Sequence, residues 1–337
     1  MASTMGSGMR PARPTYAPMQ ITTLIPAYKT KYLAELLTGL LTQTRPAERV
    51  IVSDDSPDGR FGALLREGPL ARFASRLPLE IHPGPRAGAY ENFKHLVKLW
   101  GGQSELFHIH LDDDVIYPDF YAQHRMAHAT GEAISCSISA RWTANEKGQP
   151  IEGMPIPDGI FHAQARMMSV GPMALISSTV PYCQNWLGEF SNCVIRAEHA
   201  GLLADTQFGG VSYAGLWDLG FFIAASLRQP IAYIQDRLGY FRAGGEGHSA
   251  QVNGKHMKAA HLGYAALGVG LQRLGRMNES QARLCYEGIA QALMARYGGQ
   301  EDMQPFAALL MRMAQQDAQA GEDFVNAWQA FLTQHGF

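Results

Sequence analysis

Apolar positions along the chain alternate between short runs and helical stripes. Ile21-Thr22-Thr23-Leu24-Ile25-Pro26 is an apolar, β-branched run closed by proline, the pattern of a buried strand. Leu33, Leu36, Leu37, Leu40 and Leu41 follow at i, i+3, i+4, i+7 and i+8 spacing, which makes one apolar helix face. Residues 49–53 read as a second strand, ending in the polar loop Asp54-Asp55-Ser56-Pro57-Asp58-Gly59. A helix within 61–74, a strand at 79–82 and a helix over 89–100 continue the alternation. Leu106-Phe107-His108-Ile109-His110-Leu111 then forms a strand that runs into Asp112-Asp113-Asp114. Strands alternating with helices predict parallel βαβ units, whose functional groups gather outside the carboxyl ends of the strands. Both aspartate clusters fall at such ends.

The second half is less regular. A helix after Pro118 leads to a strand over 133–139, and the Gly-, Pro- and polar-rich stretch 141–158 reads as a loop or hairpin. Residues 190–195 read as a strand, 216–227 as a helix and 231–234 as a strand. Residues 242–254 hold four glycines without apolar periodicity and read as a loop. Beyond 255 the pattern is helical only, with Phe324, Val325, Trp328, Phe331 and Leu332 on one stripe, and three or four helices are expected. The expected division is a leader or expression remnant at 1–18, an α/β domain at 19–254 and a helical region at 255–337.

Composition narrows the class. With 46% hydrophobic and 17% charged residues, the 337-residue chain can bury a sizeable core. A net charge of -2 argues against a general nucleic-acid binder, which needs a basic excess. Cys136, Cys183, Cys193 and Cys285 form no CxxC pair and fit reduced thiols in a cytoplasmic protein. No apolar run is long enough for a transmembrane helix.

The aspartates supply candidate chemistry. Asp112 and Asp114 form a D-x-D pair after an apolar strand, and three adjacent carboxylates repel one another unless a cation intervenes. Mg²⁺ and Mn²⁺ take oxygen ligands, usually one or two protein carboxylates, and neutralise a departing diphosphate. The plainer reading is an acidic turn before Pro118. Asp54 and Asp55 end the second strand, where a carboxylate can accept from a nucleotide base or ribose; an Asx-turn is the alternative. His108 and His110 alternate with apolar residues and read as structural, and no zinc pattern is present.

Leu24-Ile25-Pro26-Ala27-Tyr28, the leucine-striped helix, Val50-Ile51-Val52-Ser53-Asp54-Asp55-Ser56 and Asp112-Asp113-Asp114 together resemble the amino-terminal half of GT-A glycosyltransferases of family-2 type. Asn92-Phe93 is similar to the Asn-Phe of rhamnosyltransferase-like members. The resemblance is strong over residues 20–120 and weak over 190–250. It implies a GT-A nucleotide-sugar-binding fold, an α/β Rossmann-like mixed sheet flanked by helices, here with a C-terminal helical extension. It also implies a nucleotide-diphospho-sugar donor (UDP, GDP or dTDP), Mn²⁺ or Mg²⁺, and inversion at the anomeric carbon. Carried onto this sequence, it assigns Asp112 and Asp114 to the metal, with His248 completing the site. Pro26, Tyr28, Asp54, Asp55, Asn92, Asp113 and Arg242 go to the donor, and Arg86 stands in a loose match, Gly84-Pro85-Arg86-Ala87-Gly88, to a Gly-rich segment with Arg-Asn.

An inverting transfer needs a base for the acceptor hydroxyl. Asp218, in Leu216-Trp217-Asp218-Leu219-Gly220, is a lone acid in an apolar stretch and matches the late carboxylate of the family; Glu189 and Asp205 are rivals. Trp217 is either a sugar-stacking ring or core. The acceptor is open among a glycan, a glycolipid or lipid-linked glycan, and a protein. Peripheral membrane contact and a homodimer through the C-terminal helices are also open. The competing functions are a sugar nucleotidyltransferase, whose Gly-rich basic loop is missing at Pro26-Ala27-Tyr28-Lys29, and a non-catalytic nucleotide-sugar-binding protein.

Overall fold

The computed structural model describes residues 19–153, 155–243 and 251–337. The first half follows the predicted alternation. Strand β1 (Ile21–Ala27) is buried at all seven positions, as a central parallel strand requires. Helix α1 (Leu33–Leu41) buries Leu33, Leu36, Leu37 and Leu40. Strand β2 (Arg49–Asp54), helices α2 (Arg60–Glu67) and α3 (Ala71–Ala74), strand β3 (Leu79–Pro83), helix α4 (Ala89–Trp100) and strand β4 (Leu106–Ile109) complete it. β3, β2, β1 and β4 lie side by side in that order, all parallel.

The second half turns the sheet mixed. After β5 (Val115–Ile116) and α5 (Phe120–His128), β6 runs from Cys136 to Ala144 and folds back on β7 (Pro150–Gly153). The segment read as loop or hairpin from 141 therefore begins as strand. Next come β8 (Met167–Val170), α6 (Pro172–Thr179) and β9 (Cys193–Arg196), the last preceded by a 3₁₀ turn at Phe190–Asn192. A two-stranded ribbon, β10 (Gln207–Phe208) with β11 (Val211–Ser212), precedes α7 (Trp217–Ser226). Strand β12 (Ile231–Arg242) is three times the expected length. It runs through polar Gln235, Asp236 and Arg237 with two register shifts, so Arg242 ends a strand and does not begin a loop. The sheet reads β3-β2-β1-β4-β9-β6-β12-β5, with β9 antiparallel to both neighbours.

Helices α8 (Lys255–Arg273), α9 (Glu279–Tyr297), α10 (Gln304–Ala314) and α11 (Ala320–His335) fill the C-terminal region. They share one hydrophobic core with the sheet: Leu262, Tyr286 and Trp328 belong to the same buried cluster as Leu24, Phe107 and Phe222. The Trp328 indole also donates to the Ser212 carbonyl at 2.7 Å. No helix among the described residues is long and apolar enough to cross a membrane.

Candidate functional site

The chain crosses the sheet outward from β1 to β2 and β3, then returns to place β4 on the other side of β1. The crevice beyond the carboxyl ends of β1 and β4 is therefore a topological switch point, where open α/β sheets hold ligands. The loop after β1 meets the aspartate triplet there.

The three aspartates differ in orientation. Asp112 is buried, and its Oδ2 accepts the backbone N–H groups of Tyr28 and Lys29, each at 2.5 Å. Burial, reinforced by Asp113, pushes its pKa up to about 7 against the pull of those amides. Asp114 is buried too. Its Oδ1 accepts the Arg242 N–H at 3.1 Å, and its Oδ2 makes no hydrogen bond among the described residues. Burial, then the charges of Asp113 and Glu189, hold its pKa well above the usual carboxylate range. Asp113 faces outward and pairs with the Lys29 ammonium. It borders a cavity of about 340 Å³ lined by Tyr28, Lys29, Lys31, Tyr32 and Arg60.

Arg242 also borders this cavity, but its guanidinium is committed. Nε donates to the Asp113 carbonyl at 3.0 Å, and Nη1 to the carbonyls of Glu146 at 2.6 Å and Asn145 at 3.5 Å. Nη2 serves Glu35 and the Tyr240 hydroxyl. All five donors of a guanidinium are thus used. The expectation that Arg242 binds donor phosphate finds no free donor behind it; Arg242 latches β12 to the aspartate loop, α1 and the β6–β7 hairpin.

The other expected donor residues divide similarly. The buried Asp54 carboxylate is taken up by its own turn, accepting Ser56 N–H at 3.0 Å, the Ser56 hydroxyl at 2.5 Å and Gly62 N–H at 2.7 Å. Asp55 accepts the Arg86 N–H at 2.7 Å, and Arg86 sits at φ 54° with an exposed side chain. The Asn92 amide donates to the Ser53 carbonyl at 3.2 Å, tying α4 to β2 away from the cavity. Pro26 is a buried member of β1, whereas Tyr28 is 59% exposed at the cavity mouth. His248 lies outside the described residues.

A second set of acids lies inward of the triplet. Gly220, on α7, lets the helix rest on the Tyr213 ring; a Cβ there would come within 2.2 Å of it. This seats Asp218 in the first helical turn, where its Oδ1 accepts the Leu219 N–H at 2.7 Å. Burial raises its pKa to about 6, partly offset by that amide and by Arg141. Arg141 pairs with Glu189 at 2.6 Å. Burial lifts Glu189 to about 7 despite this partner, and the charge of Asp218 adds to the rise. A cavity of about 10 Å³, room for about one water, is lined by Asp114, Arg141, Ser191 and Asn192. Asp205 instead borders a separate cavity with Phe208, Arg228 and Arg276. Trp217 packs on Tyr90 with ring centroids 4.7 Å apart. His108 and His110 are fully buried and stacked at 5.2 Å. Burial pushes His110 down to about 3, so it is neutral.

Comparison with solved structures identifies the architecture. Residues 1–349 of S. aureus TarS, solved in complex with UDP-GlcNAc, align with a TM-score of 0.53 at 14% identity, over 94% of this chain and 92% of that one. A longer TarS structure aligns with a TM-score of 0.50 at 16% identity, over 92% of this chain. The chain spans 55% of that longer structure. The chain has the GT-A glycosyltransferase fold. The mannosyltransferase PcManGT of Pyrobaculum calidifontis, in complex with GDP-Man and Mn2+, aligns at 15% identity over 95% of this chain and 86% of that one; its TM-score of 0.49 is too low to add to the assignment. No protein-family model and no curated protein matches the sequence. At these identities the likeness establishes the fold and nothing finer.

A divalent cation fits the donor set. Among the described residues no three His, Cys, Asp or Glu side chains are grouped to hold a metal ion. Mg²⁺ and Mn²⁺ in phosphate sites need only one or two carboxylates. Asp113 already carries a cation, the Lys29 ammonium, and Asp114 keeps a buried oxygen that makes no hydrogen bond among the described residues. Asp112 is the carboxylate spent on the loop. Sequence reading missed Lys29, Lys31, Tyr32, Arg60 and Arg141 as site residues; only the basic character of the loop after β1 hinted at the first two.

Proposed function

We propose that this protein is a glycosyltransferase that moves a sugar from a nucleotide-diphospho-sugar to an acceptor hydroxyl, with inversion. The observation that carries the reading is the open cavity at the switch point of a GT-A fold. It combines an outward carboxylate, Asp113, with three cationic side chains, Lys29, Lys31 and Arg60. The cations attract a diphosphate, and Ser56 and Pro57, which also line the cavity, bound the space for the nucleoside. Asp113 and Asp114 would hold Mg²⁺ or Mn²⁺, which when bound neutralises the charge of the leaving diphosphate.

Asp218 is the base in this reading. It makes no ion pair among the described residues, whereas its rival Glu189 is tied to Arg141. With a pKa of about 6 it is about nine-tenths ionised at pH 7 and still basic enough to accept a proton. As the acceptor oxygen bonds to the anomeric carbon, its proton passes to Asp218 and the sugar–phosphate bond breaks, releasing the nucleoside diphosphate. Residues 19–254 carry this chemistry and 255–337 brace it: a Cβ on Gly215, just before α7, would come within 2.8 Å of the α8 backbone at Ala259 and Ala260. The acceptor is a glycan, a lipid-linked glycan or a protein.

The test is a mass-spectrometric screen of UDP-glucose, UDP-GlcNAc, GDP-mannose and dTDP-rhamnose against a mixture of saccharide acceptors. One donor should yield free nucleoside diphosphate and a product heavier by one glycosyl residue. Absence of both turnover and binding for every donor sinks the reading.

A further inference from the structure

Lys29 serves the aspartate triplet twice. Its backbone N–H holds Asp112 at 2.5 Å, and its ammonium caps Asp113. The rest of its side chain lines the cavity, 37% exposed against 19% for Asp113. Its ammonium lies against the Asp113 carboxylate, with Asp112 and Asp114 on either side in the chain. The outward member of the carboxylate cluster is thus paired with a cation from its own chain.

This arrangement constrains entry of any other cation. Asp112 and Asp114 turn inward, so an incoming divalent ion meets Asp113 before it can reach Asp114, and at Asp113 it competes with Lys29. An ammonium displaced from Asp113 is stabilised by a new anion nearby through charge-assisted hydrogen bonds. A diphosphate in the same cavity supplies one. Lys31, which meets Glu146 at 3.5 Å and lies over the Tyr32 ring, and Arg60, which makes no ion pair among the described residues, would share that anion.

We propose that Lys29 is the resident counter-ion of the aspartate cluster, and that it exchanges Asp113 for the diphosphate of an arriving nucleotide, so that divalent cation and nucleotide bind as a coupled pair. The proposal rests on the nucleotide-donor reading above. Linkage makes the coupling reciprocal.

The experiment titrates MnCl₂ into the full-length protein, reading free Mn²⁺ by electron paramagnetic resonance, with and without UDP or GDP. In the wild type the accepted nucleotide should tighten Mn²⁺ by about tenfold or more. Lys29→Met should bind Mn²⁺ alone about tenfold tighter than the wild type, gain less from the nucleotide, and bind nucleotide more weakly in metal-free buffer. Lys31→Met, which leaves the triplet untouched, should keep the wild-type Mn²⁺ affinity without nucleotide. If Lys29→Met binds Mn²⁺ alone no tighter than the wild type, Lys29 is not the resident counter-ion. If neither UDP nor GDP binds the wild type, the nucleotide reading fails, and the nucleotide-free Mn²⁺ titration still decides the role of Lys29.

Discussion

Replacing Asp218 by Asn separates catalysis from stability. The carboxyl is largely enclosed and its pKa rises from the ordinary 3.8 to about 6. Below pH 3.8 both folded and unfolded chains hold the proton, and Asp218 costs the fold nothing. Between 3.8 and about 6 the unfolded chain releases the proton while the folded chain keeps it, so wild-type stability falls. Above about 6 the loss is complete. For a sealed group that gap corresponds to about 3 kcal/mol. Asp218 keeps some contact with solvent, which reduces the figure to ~1–2 kcal/mol. Asn is nearly isosteric, can still accept the Leu219 N–H and does not titrate. Asp218→Asn should therefore match the wild type near pH 4 and exceed it by ~1–2 kcal/mol at pH 8. Its turnover should drop by about 10²–10⁴, the usual worth of a general base, with donor affinity nearly unchanged. The wild-type rate should itself fall about tenfold per pH unit below pH 6, as the base is protonated. Urea unfolding at the two pH values gives the stability difference, and initial rates of nucleotide release give the catalytic one. A variant that stays active, or that is less stable at pH 8, contradicts the assignment of a raised-pKa base to this position.

Two further substitutions probe the frame of the site. Gly220→Ala forces a methyl to within 2.2 Å of the Tyr213 ring, so it should cost ~1–3 kcal/mol and lower Tm by several degrees; an unchanged melting curve would mean that α7 is not held as described. Arg242→Met strands three carbonyls and the Glu35 carboxylate. Glu35 is 44% exposed and can rehydrate, so the loss should be ~2–3 kcal/mol, below the usual figure for a fully buried pair. Full stability with lost nucleotide binding would instead make Arg242 a phosphate ligand.

The first half of the fold was legible because its signals are local. Leucines at helical spacing, a β-branched run before Pro26 and an apolar strand before Asp112 each declare one element, and their order fixes the parallel sheet. The second half hides its strands. β12 continues through Gln235, Asp236 and Arg237, which interrupt the apolar pattern because the strand shifts register there. β6 continues through Arg141, which borders the small cavity beside Asp114, and Trp142, whose ring lies under the Arg237 guanidinium, and there the apolar alternation ends. Within the site, the position of the aspartates was readable but not their orientation. Which of Asp112, Asp113 and Asp114 faces outward depends on amides of Tyr28 and Lys29, more than eighty residues earlier in the chain. The commitment of Arg242 likewise depends on Glu35, Asn145 and Glu146, brought together only by the fold.

The central claim is that the cavity at the ends of β1 and β4 binds a nucleoside diphosphate through Asp113 and its cationic neighbours. Isothermal titration of UDP, GDP and dTDP in the presence of Mn²⁺ tests it directly, on the wild type and on Asp113→Ala. One nucleotide should bind the wild type, and Asp113→Ala should weaken it at least tenfold, about 1.4 kcal/mol. Failure of all three nucleotides to bind, or equal affinity in Asp113→Ala, would contradict it.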